Sequence, residues 1–138
     1  MTAIINRRQF SVGMKRRVAA GNIKIGKALN KAGLLVRNEA VNSIMANARS
    51  GGTVRRRGIE INISAVGDPP ASDTGFLASQ ITSSVVIGHK EGTATVTSAA
   101  PYSAALEFGT IRMGARPFMQ PALDKNARKI RDLFRGIF

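Results

Sequence analysis

The chain lacks cysteine and tryptophan altogether and has one histidine and one tyrosine among its 138 residues. Without cysteine there is no disulfide and no thiolate metal site, and a reducing compartment is compatible. Aromatics make up only 5%, so a core must be built mainly from Ile, Leu, Val, Ala and a few Phe. No apolar run approaches the roughly 20 residues that span a bilayer. The opening MTAIINRRQF has no apolar stretch of the kind a secretion signal needs. The expectation is a soluble, intracellular protein with no membrane partner.

Acids are also scarce, at 8 against 21 Lys and Arg, for a net charge of +13. The imbalance is uneven. Residues 1–57 hold thirteen Lys/Arg against Glu39 alone. Residues 58–111 hold Lys90 against five acids, and residues 112–138 hold seven bases against two acids. Blocks of this kind suggest an acidic partner: nucleic acid, an anionic surface or an acidic protein face.

Hydrophobic residues, at 43%, are enough for one modest core. Residues 1–21 read as a basic arm or short helix, with Arg7-Arg8 and Lys15-Arg16-Arg17. Residues 22–48 read as a long helix capped by Asn22, with Ile25, Leu29, Ala32, Val36, Ala40 and Ser43 on one stripe. Gly33 is the expected place for a bend. Residues 59–64 alternate like a half-buried strand, and 53–58 are either a basic loop or its partner. Residues 67–75 form a long loop rich in turn residues. A helical turn at 76–79, a strand carrying Ile81, Val85 and Ile87, and a strand over 93–97 follow, the two strands pairing as a hairpin. Pro101 starts a short helix, and residues 120–137 form a last helix with Leu123, Ala127, Ile130, Phe134 and Phe138 inward. The fold class is α+β: a long N-terminal helix, a small antiparallel sheet with long loops, and a C-terminal helix, with 22–138 as a single domain.

Chemistry finds little to work with. His89 lies in a predicted hairpin turn and reads as solvated. Asp68 and Asp73 flank Pro69-Pro70 without the ligand density of a calcium loop, so turn and cap roles suit them better. No phosphate-cradling glycine pattern is present. No cofactor, metal or catalytic set is expected, and the chain is not read as an enzyme. What stands out is Tyr102–Phe118, where Glu107 sits between Leu106 and Phe108. A carboxylate there is costly to bury unless paired. It can pin a loop through the Arg116 fork or through backbone N–H groups. Phe118 reads as core, whereas Met119 could be core or an anchor into a neighbouring subunit.

Three blocks carry a family resemblance. Asp68-Pro69-Pro70-Ala71-Ser72-Asp73-Thr74-Gly75-Phe76-Leu77 follows the basic Arg55-Arg56-Arg57. Tyr102-Ser103-Ala104-Ala105-Leu106-Glu107-Phe108-Gly109-Thr110 and Ala115-Arg116-Pro117-Phe118-Met119-Gln120-Pro121-Ala122 come next. In order and spacing they resemble the tail-completion, or neck, proteins of long-tailed bacteriophages, a family distantly similar to minor tail protein Z of phage lambda. Ser79 falls one place early and Ser103 replaces an alanine of the pattern. The resemblance implies an α+β assembly protein without enzymatic activity, forming a hexameric or dodecameric ring at the head–tail junction or tail-tube end. Its location would be the virion, and the host cytoplasm during assembly. Its partners would be its own copies, other neck and tail proteins, and genomic DNA in passing. The residues singled out as the assembly motif are Pro69, Pro70, Thr74, Gly75, Leu77, Tyr102, Glu107, Phe108, Gly109, Thr110, Arg116, Pro117, Phe118 and Pro121, with Arg55, Arg56 and Arg57 as basic contacts. The alternative is a basic DNA- or RNA-binding module, which the charge supports. The lack of a helix-turn-helix and of stacking aromatics weighs against it.

Overall fold

The computed structural model describes residues 2–6, 9–17, 23–46, 51–72, 75–88, 91–135 and 137. In chain order the elements are β1 (Thr2–Asn6), β2 (Gln9–Arg17), α1 (Ile23–Ala46), β3 (Thr53–Arg56) and β4 (Ile59–Asn62). Then come α2 (Phe76–Ser79), β5 (Ile81–Ile87), β6 (Glu91–Ser98), α3 (Ser103–Phe108) and α4 (Met119–Arg135). The α+β class is as expected. The basic first segment is not an arm or a helix where it is described. It is an antiparallel hairpin, and β2 pairs with β6 to give a four-stranded sheet in the order β1-β2-β6-β5. The division expected between 1–21 and 22–138 therefore falls inside one sheet. The physical reason is visible in Phe10, Val12 and Met14, which alternate with polar or small residues at the period of a strand.

α1 runs 24 residues, about 36 Å at 1.5 Å per residue, and lies against β5 and β6. Its buried positions are Ile25, Ala28, Leu29, Ala32, Val36, Ala40 and Ile44, at spacings of three and four. The stripe ends on Ile44, not Ser43, whose hydroxyl instead donates to the Ala40 carbonyl at 2.8 Å. Burial reaches Ile44, so the helix is docked over most of its length. Asn22, expected to cap it, lies outside the described residues, as do His89, Asp73, Thr74 and Phe138. From the sheet, Ile81, Ala94 and Val96 meet α1 at 0% exposure, and α4 packs on α1 through Leu123, Ile130 and Phe134. Fully burying one such side chain stabilises by about 1.5–3 kcal/mol. Asn126, not Ala127, is the buried residue of the middle turn, its amide donating to the Ala122 carbonyl at 2.9 Å. The Lys125–Glu39 ion pair between α4 and α1, at 3.1 Å, is solvent-facing and adds little.

β3 and β4 make a separate two-stranded hairpin, which decides between loop and strand for 53–58. Arg57 and Gly58, both at positive φ, form its two-residue turn. The half-buried strand expected at 59–64 is not half-buried at its start, because Ile59 is 66% exposed.

Gly33 is explained by close packing. A Cβ there would run into Ser83 Oγ on β5. That hydroxyl is itself buried and has no hydrogen-bond partner among the described residues. Removing it should relieve both problems. Ser83→Ala is expected to stabilise by about 1 kcal/mol. Gly33→Ala alone should be neutral or destabilising. In the Ser83→Ala background it should add about 1 kcal/mol from helix propensity. Urea unfolding of the four chains measures this coupling.

Candidate functional site

α4 begins after Pro117-Phe118, so its start has no Ser, Thr, Asp or Asn in the capping position. Its first turn has no acid either. The first four amides of a helix lack an internal acceptor. Here Glu107, from α3, supplies the acceptor. Its Oε2 accepts from the amides of Phe118 and Met119 at 2.8 and 3.0 Å, and its Oε1 from that of Gln120 at 2.9 Å. The next residue is Pro121, which has no N–H to satisfy. One carboxylate thus accounts for every amide of the helix start, and its charge opposes the positive end of the helix dipole. Of the two partners open to Glu107 in the sequence, the backbone is the one used.

Arg116 does not fork onto Glu107. Its side-chain Nε donates to the carbonyl of buried Ser64 at 3.1 Å, and its amide donates to the Leu106 carbonyl at 2.6 Å. Arg116 therefore ties the end of α3 to the loop that follows β4. Gly67 adds a second tie, its amide donating to the Ala115 carbonyl at 2.8 Å. Gly109 ends α3 at φ 76°, and a Cβ on it would lie 2.9 Å from Met113 O and Ala115 N. Both the dihedral and the contact require glycine. Thr110 pairs with Met113 as an isolated bridge. At the other end of α3, the Ser103 hydroxyl bonds that of Ser98 at the end of β6, both buried.

Beside this junction lies an open groove of about 430 Å³. Pro70, Leu77, Tyr102, Leu106 and Met113 give it apolar walls, with Arg56 and Arg116 as its cations. Phe76 and Tyr102 meet there in a tilted ring pair at 6.3 Å. Burial pushes the Tyr102 phenol up from its ordinary value. Among the described residues the lining contains no carboxylate and no imidazole. Among the described residues no three His, Cys, Asp or Glu side chains gather as metal ligands do. None of the described helices is long and apolar enough to cross a membrane.

The assembly motif is thus partly gathered. Gly75, Pro70, Leu77, Tyr102 and Arg116 meet at the groove, and Glu107, Phe118 and Pro121 meet at the helix start. Pro117 precedes that start, and Pro69 lies beside Pro70. Phe118 and Met119 are both core, at 0% exposure, which decides Met119 against an exposed anchor on this chain. Phe108 points outward, at 54% exposure. Thr74 is outside the described residues. The basic triplet is divided: Arg55, Arg56 and Arg57 are all exposed, but only Arg56 lines the groove. Ser64 is the participant that sequence reasoning missed. It carries no signal beyond its place at the end of an apolar alternation. No family model, curated protein or solved structure matches this chain.

A fastening role for Glu107 has a measurable consequence. Glu107→Ala leaves three amides without their acceptor, and should cost about 3 kcal/mol or more, at roughly 1 kcal/mol or more for each bond lost. Glu107→Gln keeps one acceptor oxygen and should cost less. Denaturant unfolding gives both values, and amide exchange at 118–120 should speed up in the same order. Unchanged stability of both variants would remove the fastening role.

Proposed function

We propose that this chain is a structural subunit of a long-tailed phage. In this reading, copies of it form a ring of six or twelve at the head–tail junction or the end of the tail tube. The observation that carries the reading is the use made of Glu107. The most conspicuous acid of the sequence spends both its oxygens on the start of α4. The groove beside it offers apolar walls and two arginines and, among the described residues that line it, no carboxylate or imidazole to work with the Tyr102 phenol in proton transfer. That inventory suits contact, not turnover. The three blocks of the resemblance also lie around one junction, a further point in favour. The chain would work in the virion, reached from the host cytoplasm, against other neck and tail proteins.

The charge pattern fits such a role. Basic ends and an acidic middle let neighbours meet in one register and reject others. The β3–β4 hairpin carries Arg55, Arg56 and Arg57, all exposed, and is suited to reach an adjacent ring. Basic residues near the channel would meet genomic DNA only in passing, since a strongly basic lumen would hold its phosphates.

A second reading, a DNA- or RNA-binding module, has its own observation. Lys24, Lys27 and Lys31 on α1 and Arg128, Lys129, Arg131 and Arg135 on α4 are all exposed. Two measurements separate the readings. In the phage whose genome encodes this chain, Arg116→Ala should stop virion completion while the purified variant stays soluble and unfolds cooperatively. An unchanged titre rejects the assembly reading. Tight binding of random duplex by a monomer, falling steeply with salt, favours the second.

A further inference from the structure

The four-stranded sheet ends on two strands whose sequences lack the residues by which soluble proteins protect a sheet edge. β5 reads Ile-Thr-Ser-Ser-Val-Val-Ile and β1 reads Thr-Ala-Ile-Ile-Asn. Neither has a charge, a proline or a glycine. Among the described residues no further strand pairs with either.

The register identifies which atoms of β5 are open. The Gly88 amide donates to the Glu91 carbonyl at 2.8 Å, and the Ala99 amide donates to the Gln80 carbonyl at 3.1 Å. Bonded and non-bonded pairs alternate along an antiparallel ladder. The even-numbered residues of β5 are therefore the ones bonded to β6. The amides and carbonyls of Ile81, Ser83, Val85 and Ile87 point the other way. Arg37 agrees with this, since its Nε donates to the Ile81 carbonyl at 3.1 Å and closes that end of the edge. Among the described residues nothing bonds this edge from Ser83 to Ile87, and Val86 within it is 70% exposed.

We propose that this open edge pairs with β1 of a second copy of the chain, so that the sheet continues from subunit to subunit. The occupant follows from the strand order. All neighbours in the sheet are antiparallel, so with four strands β1 and β5 run in opposite directions. A copy added head to tail then meets β5 with an antiparallel β1, the geometry of the rest of the sheet. That contact is heterologous and uses both open edges at once. A two-fold contact of β5 with β5 would leave β1 open on both copies. Main-chain bonds between edges supply the attachment. The inference rests on the ring reading and names its subunit contact.

The cysteine-free chain makes the test clean. Val86→Cys is held fixed while Thr2, Ala3, Ile4, Ile5 and Asn6 are each changed to Cys in turn. The variants are oxidised under conditions of self-association and sized on non-reducing gels. Disulfides should join position 86 to alternate positions of β1, because successive side chains face opposite ways. The products should form a ladder up to the closed ring. Cross-linked dimers from Val86→Cys alone would indicate the two-fold contact and overturn the proposal. Rings that form without any link between β1 and position 86 overturn the edge contact and leave the ring reading standing. A chain that stays monomeric also overturns it, and particle titres then judge the ring reading separately. As a second measurement, Ser84→Lys with Val86→Lys places charge on two exposed side chains. It should weaken self-association while unfolding stays cooperative. Undiminished association counts against the edge contact.

Discussion

The amides at the start of a helix have no carbonyl behind them, and in α4 three of them are met by one carboxylate from another helix. Water cannot take its place at Phe118 and Met119, which are fully buried. The position of α3 therefore fixes the position of α4, and α3 is fixed in turn. Ser103 holds its beginning to the end of β6, while the Arg116 amide and Gly109 hold its end. Sheet, short helix, turn and long helix are joined in series through polar contacts that must all be satisfied at once.

This chain of contacts also sets the groove. Arg116 is drawn to Ser64, so the loop after β4 lies against the turn before α4. Gly114 permits the approach, since a Cβ there would meet Val66 Cγ1 at 2.5 Å. Tyr102, Leu106 and Leu77 are brought around the same hollow by elements whose inner faces belong to the core. The groove is thus built on elements packed into the core, with part of its wall coming from a loop.

Much of the fold was legible in the sequence where periodicity was long. The spacing in α1, the hairpin of β5 with β6 and the inward face of α4 each follow a single repeating rule over many residues. The first hairpin shows two competing signals: Arg7-Arg8 and Lys15-Arg16-Arg17 point to a basic arm, while the alternation of Phe10, Val12 and Met14 is the one the strand obeys. Glu107 was recognisable as a fastener because a lone acid between Leu106 and Phe108 needs a partner. That its partner was a helix start, and not Arg116, could have been found from Pro117-Phe118, which leaves α4 without a local cap. The tie to Ser64 had no sequence signal, because a backbone carbonyl is present at every residue and only the fold selects one.

The order of the strands in space differs from their order of synthesis. β2 lies far ahead of β6 along the chain, yet the two are neighbours in the sheet, Phe10 lying opposite Ser98. The first hairpin can join the sheet only once β6 is present. Contacts so distant along the polypeptide are slow to form. Of the pairings within this sheet, that of β2 with β6 closes the longest stretch of chain and carries the largest loop-closure cost.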